Sequence, residues 1–429
     1  MKVYRVLAFF LVVTLLASLG AACGPAPTPT PVPLPPTPTK PPAPAAPTAT
    51  PVPVPTATPV PKPTATPLPP TATPVPAPTK LTFVDTNSGA NFQWFFKTIV
   101  VPAVKKDLGL DIDYVVSSGA ETMQRMKAWT PGKGDAHVLF LKPKDIADMV
   151  QQGIKLETLS PDKAKDIPNI AKNRADYLDT AQGVKIGGKG ALFWRSQYAM
   201  IYNSAKITNP PKSWKEMYER RNELKGHIGW IRPDAKSSAG RALPYGFLNA
   251  FGVDMTKTIT DVMATKEWTD AWTKLEDLTK NYAVQPIAAE PTNLFEQFKA
   301  DDAWIGIYAM DFSLWSRSQG TMPPEIKAGF FSEGITEGAD GYLSVPTDIP
   351  DAYKPVAYKL INYLLGDDMQ IKLVTTMWQY PGTEIWDKIP KEVWDVIPPW
   401  SEMEKGRVRM TNKEVIDYIQ KEGPKRLIK

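Results

Sequence analysis

The body of the chain opens with three strand–loop units, LTFVDTNSG (81–89), LDIDYVVSSGAE (110–121) and AHVLFLKP (136–143). Each unit is a short apolar run followed by a polar loop, and amphipathic helical patterns separate one unit from the next. Strands that alternate with helices predict an α/β domain with a mostly parallel sheet flanked by helices. Because ligands of such sheets bind at the carboxyl ends of the strands, we expect the three loops to contribute to a binding site.

Strand patterns recur further along the chain, at 192–203, 227–232 and 303–308, with helical patterns between them. The body, residues 80–429, is longer than one hydrophobic core usually supports. The sequence therefore predicts two α/β domains.

A proline-rich segment, residues 23–79, precedes the body. It contains 24 of the 45 prolines and repeats TATPVPVP, TATPVPKP, TATPLPP and TATPVPAP from Thr48 onward. Proline fixes φ and lacks a backbone donor, so neither a helix nor a sheet ladder can form across such a repeat. We predict an extended, disordered Pro/Thr-rich tether.

The N-terminus has the layout of a secretory signal peptide. Lys2 and Arg5 precede an apolar run that ends in small residues immediately before Cys23. The stretch LGAAC (19–23) resembles the lipobox of bacterial lipoproteins, in which the cysteine is acylated, although the leucine stands four residues before the cysteine instead of three. This resemblance implies a signal peptide at 1–22, a lipid anchor at Cys23 and a position on the extracytoplasmic face of the membrane. An uncleaved membrane anchor is the alternative.

Charge and composition exclude several function classes. The formal net charge is +5, but residues 1–79 contain four basic residues and no acidic one, which leaves +1 for the body. A nucleic-acid partner is therefore not expected. Cys23 is the only cysteine, and His137 and His227 are isolated in the sequence. Disulfide scaffolds, zinc–thiolate sites and cysteine nucleophiles are thus excluded from the body, and we expect neither a cofactor nor a metal.

Four short motifs, taken in order, resemble a known family. They are DAHVL (135–139) in the third strand, YN (202–203) at the end of a strand, PKSWKEM (211–217) at the start of a helix, and GYLSVP (341–346). Over about 81–385 this order is similar to bacterial family 1 extracellular solute-binding proteins. These are the receptor components of ATP-binding-cassette importers, here of the spermidine/putrescine-, thiamine- and iron-binding-like type.

The resemblance implies a two-domain clamp of the periplasmic-binding-protein type II class. The first domain would comprise 81–193 together with about 309–400, the second 194–308, and a C-terminal extension 401–429. The expected function is that of a lipid-anchored, monomeric, non-enzymatic receptor. It would capture a small solute by hinged domain closure and deliver it to the permease subunits of the importer.

Two serine clusters are candidates for binding an anionic group of the solute. Ser118 and Glu121 form a capping-box pattern, which is a structural role, but a helix N-terminus at a strand end also suits an anion. Ser237 and Ser238, followed by Gly240 and Arg241, offer hydroxyls, close backbone approach and a guanidinium, although an exposed loop is the simpler alternative. If both clusters line one cleft, the solute carries acidic groups.

Aromatic and acidic residues near the predicted domain crossings leave a second possibility open. Aromatic faces can stack on rings, sugars or cations, although about half of such side chains are expected to be packing residues. The carboxylates of Asp85, Asp311, Glu333 and Asp340 lie nearest the predicted strand ends. If several of them converge, a polyamine, thiamine or a metal ion would replace the anionic solute.

These arguments give one set of predicted ligand-binding residues. It consists of Thr86, Asn87, Ser88, Ser118, Gly119, Glu121, Trp194, Tyr198, Ser237, Ser238, Arg241, Tyr308, Met310, Asp311 and Trp378.

Two other functions remain open from the sequence. A cell-surface glycan hydrolase would use two carboxylates such as Asp302 and Asp311 as acid and base. An adhesion module displayed on the proline-rich stalk would need no cleft, and its predicted binding region would be filled with side chains.

Overall fold

The computed structural model describes residues 76–428. The predicted signal peptide (1–22), Cys23 and nearly all of the predicted tether (23–79) lie outside the described residues. The described part is a mixed α/β structure with sheets flanked by helices, as the sequence predicted.

The strands and helices are as follows. The strands are β1 (Lys80–Asp85), β2 (Asp111–Val116), β3 (Val138–Leu141), β4 (Thr180–Ala181), β5 (Val184–Lys185), β6 (Ala191–Arg195), β7 (Tyr198–Asn203), β8 (Ile228–Gly229), β9 (Ile305–Ala309), β10 (Ile326–Gly329), β11 (Ile335–Thr336), β12 (Gly341–Ser344), β13 (Tyr380–Pro381) and β14 (Arg407–Val408). The helices are α1 (Ala90–Phe95), α2 (Val101–Leu108), α3 (Gly119–Lys127), α4 (Pro143–Gln151), α5 (Ala175–Asp179), α6 (Trp214–Glu219), α7 (Ala239–Ala250), α8 (Ile259–Met263), α9 (Lys266–Asn281), α10 (Pro291–Lys299), α11 (Met310–Ser318), α12 (Lys354–Leu364), α13 (Asp367–Met377), α14 (Trp400–Met403) and α15 (Lys413–Leu427).

A six-stranded sheet with the order β13-β6-β12-β3-β1-β2 is buried on both faces. Strand β1 pairs in parallel with β2 and β3, while β12 runs antiparallel to β3 and β6. Successive side chains of a strand point to opposite faces. Leu81 and Phe83 accordingly pack in the hydrophobic cluster on one face, and Val84 packs in the cluster on the other.

A four-stranded sheet with the order β10-β7-β9-β8 forms the second half of the body. Only its β8–β9 pair is parallel, because β7 runs against both β9 and β10. The strand directions are thus more mixed than the mostly parallel sheets that we predicted. A cluster that includes Trp214, Trp230 and Trp272 packs this sheet against its helices.

We call the part built on the six-stranded sheet the first lobe and the part built on the four-stranded sheet the second lobe. The chain crosses between the sheets at 195–198, where β6 leads into β7, and again at 336–341, where β11 leads into β12. Strand β10 lies beyond the boundary that we predicted near 309 and still belongs to the second sheet. We therefore propose 196–340 as the span of the second lobe.

The C-terminal residues also return to the second lobe. Strand β14 pairs in parallel with β11. Val415, Ile416 and Ile419 of α15 are buried in the same cluster as the tryptophans of the second lobe. Residues 401–428, predicted as an extension, therefore contribute to the core of this lobe.

Buried ion pairs fix the C-terminal strand to the second crossing. The Arg407 guanidinium lies 2.7 Å from Asp340 Oδ1 and 3.6 Å from Glu337 Oε2, and all three side chains are almost fully buried. Asp340 Oδ1 also accepts the backbone N–H of Ser196 at 2.7 Å. One carboxylate thus connects the first crossing, the second crossing and β14.

Replacing Arg407 by methionine is expected to destabilise the protein by about 3–5 kcal/mol, because Asp340 would keep its buried charge and lose its cation. The measurement is the free energy of unfolding from urea denaturation. Arg232→Met is the matched control, since Arg232 forms an exposed pair with Asp234 whose loss costs about 1 kcal/mol or less. Similar losses for the two variants would contradict a structural role of the buried pair.

Candidate ligand-binding site

A cleft with two chambers lies between the lobes. The inner chamber has a volume of about 360 Å³ and the outer chamber about 800 Å³. Ser88, Lys142 and Lys236 lie in the walls of both, so the chambers adjoin each other. The inner chamber is lined by Asn87, Ser88, Gly89, Ala90, Asn91, Phe92, Lys142, Trp194, Ser196, Tyr198, Lys236, Ser237, Ser238, Glu290, Pro291, Thr292, Tyr308, Ala309, Asp311, Phe312 and Ala339. The outer chamber is lined by Asp85, Thr86, Ser88, Val116, Ser117, Ser118, Gly119, Ala120, Glu121, Met123, Lys142, Lys144, Asp145, Asp148, Asp234, Ala235, Lys236, Arg241 and Gln420.

The loops that follow β1, β2 and β3 form the wall of the first lobe, because the carboxyl ends of these parallel strands meet at one edge. Thr86 donates to Asp145 Oδ2 at 2.6 Å and thereby connects the first loop to α4. Gly119 in the second loop lies against the same carboxylate, since a Cβ added there would be 2.2 Å from Asp145 Oδ1. Glycine at this position therefore allows the second and third loops to pack together.

The capping box predicted at the start of α3 is present. Glu121 N–H donates to Ser118 Oγ at 3.2 Å, and the Glu121 carboxylate accepts the Ser118 N–H at 3.0 Å. These bonds lower the pKa of Glu121, with the Ser118 side-chain bond as the main cause. The carboxylate therefore occupies the position at the helix N-terminus that an anionic ligand would need, and the capping role accounts for both residues.

Arg241, on the wall of the second lobe, is a buried cation without a carboxylate partner. Its side chain is 4% exposed, and one guanidinium nitrogen donates to the Ala235 carbonyl at 3.2 Å. Among residues 76–428 no carboxylate lies within 4.0 Å of it, and burial lowers its pKa. A buried charge without a partner is unfavourable, so an anion at this position would be bound strongly.

Two lysines lie beside this guanidinium in the outer chamber. Lys142 follows β3 directly and is half-buried, and burial lowers its pKa. Lys236 extends from the loop before α7 and is exposed. Neither ammonium forms an ion pair within the described chain. The junction of the chambers therefore presents cations from both lobes.

Asp311, in the inner chamber, is a buried carboxylate without a cation partner among the described residues. It is 3% exposed, and its Oδ2 accepts a long bond of 3.4 Å from Asn91 Nδ2. Its Oδ1 has no hydrogen-bond partner among the described residues. Burial without a compensating cation raises the pKa of Asp311 to about 7.

Aromatic side chains surround this carboxylate. Trp194 enters from the first lobe, and its Nε1 donates to the Ala339 carbonyl at 2.9 Å. Tyr198, Tyr308 and Phe312 enter from the second lobe, and the Tyr198 hydroxyl lies 2.7 Å from Ser238 Oγ. The inner chamber therefore combines flat apolar walls with a buried carboxylate.

A match to a protein-family model identifies the family of this chain. The family model described as "bacterial extracellular solute-binding protein" matches residues 100–388, which is more than half of the chain. The chain belongs to this family. It is therefore a substrate-binding protein of the ABC-transporter type that acts outside the cytoplasm, and it is not an enzyme. A comparison with curated proteins finds no match.

Solved structures of solute-binding proteins share the fold of this family member. An ABC transporter protein from Clostridium perfringens has 18% identity and a TM-score of 0.60, over 81% of this chain and 99% of that one. An ABC transporter solute-binding protein from Thermotoga lettingae, bound to α-D-tagatose, has 15% identity and a TM-score of 0.64, over 80% and 94%. Iron-bound HitA from Pseudomonas aeruginosa has 12% identity and a TM-score of 0.57, over 80% and 97%. At these identities the likeness shows the fold alone.

Two negative findings apply to residues 76–428 of this solute-binding protein. No helix in that range is long and apolar enough to cross a membrane. The same range contains no group of three or more His, Cys, Asp or Glu side chains arranged to hold a metal ion.

The cleft contains most, but not all, of the predicted ligand-binding residues. Its walls include Thr86, Asn87, Ser88, Ser118, Gly119, Glu121, Trp194, Tyr198, Ser237, Ser238, Arg241, Tyr308 and Asp311. Met310 is instead buried among the C-terminal hydrophobic residues, because it starts α11 with its side chain turned away from the cleft. Trp378 ends α13 in a left-handed conformation and packs against the same cluster.

The four carboxylates proposed as a cation site do not converge. Asp340 pairs with Arg407, and Glu333 accepts the backbone N–H of Trp214 at the start of α6. Asp85 accepts the Tyr114 hydroxyl and the backbone N–H groups of the following loop. Asp311 alone of the four lines the inner chamber.

The sequence did not single out Lys142, Lys236 or Glu290. Lys142 had a signal, because it is the first residue after the third predicted strand and so lies at the expected ligand edge. Lys236 and Glu290 had none, since their position depends on how the second lobe packs against the first.

Asp311→Asn is expected to stabilise the ligand-free protein more at pH 8 than at pH 5. The folded pKa of about 7 lies above the ordinary value of 3.8, so the folded state loses stability as the pH rises between them. One pKa unit corresponds to about 1.4 kcal/mol. The substitution should therefore increase the free energy of unfolding by about 2–3 kcal/mol more at pH 8 than at pH 5.

The measurement is urea denaturation at both pH values. Asp302→Asn is the control, because Asp302 is exposed and should show the same small effect at each pH. If Asp311→Asn increased the free energy of unfolding equally at pH 5 and pH 8, the pKa of Asp311 in the folded protein would not be raised.

Proposed function

We propose that this solute-binding protein is the lipid-anchored receptor of an ABC importer and captures one small solute in the two-chamber cleft. The observation that carries the proposal is the unpaired, buried guanidinium of Arg241 in a cleft whose walls come from both lobes. A cleft of this size is typical of small-molecule sites. The solute is proposed to carry an anionic group that Arg241, Lys142 and Lys236 bind together.

Hinged closure is the proposed mechanism. Lys142 belongs to the first lobe, whereas Lys236 and Arg241 belong to the second, so a bound anion would contact both. Contacts that form only when the lobes approach favour the closed state by their differential affinity. The crossings at 195–198 and 336–341 are short, and a short connection confines the motion to a few backbone torsions.

Anchoring and delivery complete the proposal. Acylation of Cys23 would hold the protein at the membrane, and residues 23–79 would act as the tether between anchor and receptor. The closed, loaded receptor would then dock on the permease subunits and release the solute. We further propose that the receptor is a monomer.

The two alternative functions find less support. The hydrolase would need Asp302 and Asp311 to face each other, but Asp302 is exposed and does not line the cleft of the described chain. The adhesion module would have its cleft filled with side chains, whereas the inner chamber has a volume of about 360 Å³.

Binding of the solute is expected to raise the melting temperature of residues 80–429 and to reduce the radius of gyration in small-angle scattering. Thermal shift against a broad metabolite panel, with polyamines, thiamine, sugars and iron included, identifies the solute. Ser237→Trp should abolish the shift because the indole fills the inner chamber. Ser401→Trp, at an exposed position away from the cleft, should keep it. A panel without any binder would contradict the proposed function.

Cys23→Ser is expected to release the full-length protein from the membrane fraction into the medium. The reason is that serine cannot accept the thioether-linked lipid. Metabolic labelling with a fatty-acid analogue, followed by fractionation, measures the effect, with Ser18→Ala as a control inside the predicted signal peptide. Retention of the serine variant in the membrane would favour an uncleaved anchor instead.

A further inference from the structure

The inner chamber contains hydrogen-bond acceptors that have no donor. Asp311 Oδ1 and Asn87 Oδ1 are buried and have no hydrogen-bond partner within residues 76–428. The amide orientation of Asn87 is determined by its Nδ2, which donates to the Asp340 carbonyl at 2.9 Å. Its oxygen is therefore the atom left free, and both of these atoms are acceptors. Ser88 Oγ, which also has no partner in that range and lines the chamber, can donate or accept.

Unpaired buried acceptors indicate a ligand that brings donors. An acceptor buried without a partner loses its hydration, and burying an ionised carboxylate in this way is especially unfavourable. Hydroxyl groups of a neutral solute would satisfy the bonds, but only a cation would also compensate the charge of Asp311. A protonated nitrogen supplies both the donors and the charge.

The walls of the chamber support the same ligand group. Trp194, Tyr198, Tyr308 and Phe312 line the inner chamber together with Asp311. An ammonium or guanidinium group over an aromatic face is attracted by the ring quadrupole, and the attraction grows when water is excluded. Aromatic walls with a buried carboxylate thus favour a cation over a neutral polar group.

The cations of the cleft lie on the other side of this chamber. Lys142 and Lys236 line both chambers, and Arg241 lines the outer one only. Asp311 lines the inner chamber only. The outer chamber also has carboxylates in its wall, but each has a partner within the protein: Tyr114 for Asp85, Ser118 for Glu121, Thr86 for Asp145, Lys144 and Lys413 for Asp148, and Arg232 for Asp234. A solute that extends from the inner into the outer chamber therefore meets a carboxylate without a cation partner at one end and three cations without an ion pair at the other.

We propose that the solute is amphoteric, with a protonated nitrogen held by Asp311 and Asn87 in the inner chamber and an anionic group held by Lys142, Lys236 and Arg241 in the outer chamber. This inference rests on the proposed function, because it assigns the solute class of the same cleft. A solute with both charges compensates both buried groups, whereas a diamine or a dicarboxylate of equal length places a like charge beside one of them.

The test compares three series of equal chain length on residues 80–429: ω-aminocarboxylates, α,ω-diamines and α,ω-dicarboxylates of four to eight carbons. Isothermal titration calorimetry measures each affinity. At the preferred length, the ω-aminocarboxylate is expected to bind at least tenfold more tightly than the diamine and the dicarboxylate. A diamine or dicarboxylate that binds as tightly as the ω-aminocarboxylate at its best length would overturn the proposal.

Variants separate the two ends of the solute. Asp311→Asn should weaken the ω-aminocarboxylate at least tenfold and should not weaken the dicarboxylate. Lys236→Gln, at an exposed position that does not endanger folding, should weaken the ω-aminocarboxylate and should not weaken the diamine. The matched controls are Asp302→Asn and Lys106→Gln, both exposed and outside the cleft, and they should bind like the unmodified protein. Equal effects of the cleft variants on all three series would also overturn the proposal.

The failure of this inference is distinguishable from the failure of the proposed function. If none of the three series binds, the charged groups of the solute found in the broad metabolite panel test the amphoteric proposal. A panel solute without a cationic nitrogen, or without an anionic group, overturns the amphoteric proposal and leaves the receptor function intact. A panel without any binder contradicts the receptor function itself.

Discussion

The Asp340 carboxylate is the interaction on which the arrangement of the two lobes depends. It lies at the second crossing, accepts the Ser196 N–H of the first crossing, and pairs with Arg407 of the C-terminal strand. The backbone carbonyl of Asp340 accepts a hydrogen bond from the side-chain amide of Asn87 at the edge of the cleft. Because an ionised group in this position is stable only while all its partners remain, the crossings, the C-terminus and the cleft edge form one unit.

Arg241 and Asp311 in the cleft are buried charges that have no ion-pair partner within the described body. Elsewhere in the described body, buried charges have partners: Asp85 has a hydroxyl and two amides, and Arg195 has Glu384 together with the faces of Tyr177, Trp386 and Trp400. Arg241 and Asp311 are buried to a similar degree without such compensation. A cleft in which two opposite charges lack an ion-pair partner is suited to a ligand that supplies the missing partners.

The sequence predicted the parts of the site that depend on local patterns. The loops after β1, β2 and β3 were predictable because parallel strands end at a common edge. Ser237, Ser238 and Arg241 were predictable because they lie in the loop that precedes a helix and in its first turn. Pairings between segments far apart in sequence were not predictable, since β11 and β14 are each two residues long and carry no periodic signal. Met310 was misplaced for a related reason: the strand pattern at 303–308 leads directly into α11, which turns that side chain inward.

The rim of the cleft shows where the free energy of closure has to come from. Lys413 of α15 in the second lobe lies 3.0 Å from Asp148 of α4 in the first lobe, and Lys144 lies 3.9 Å from Asp417. Lys413 and Asp148 are 12% and 17% exposed, so their pair is largely shielded from water, whereas Lys144 and Asp417 are 23% and 47% exposed and their longer pair contributes less. Both pairs connect the two lobes. In the proposed mechanism, solute contacts at Arg241 and Asp311 would add to these pairs and favour the closed arrangement of the lobes.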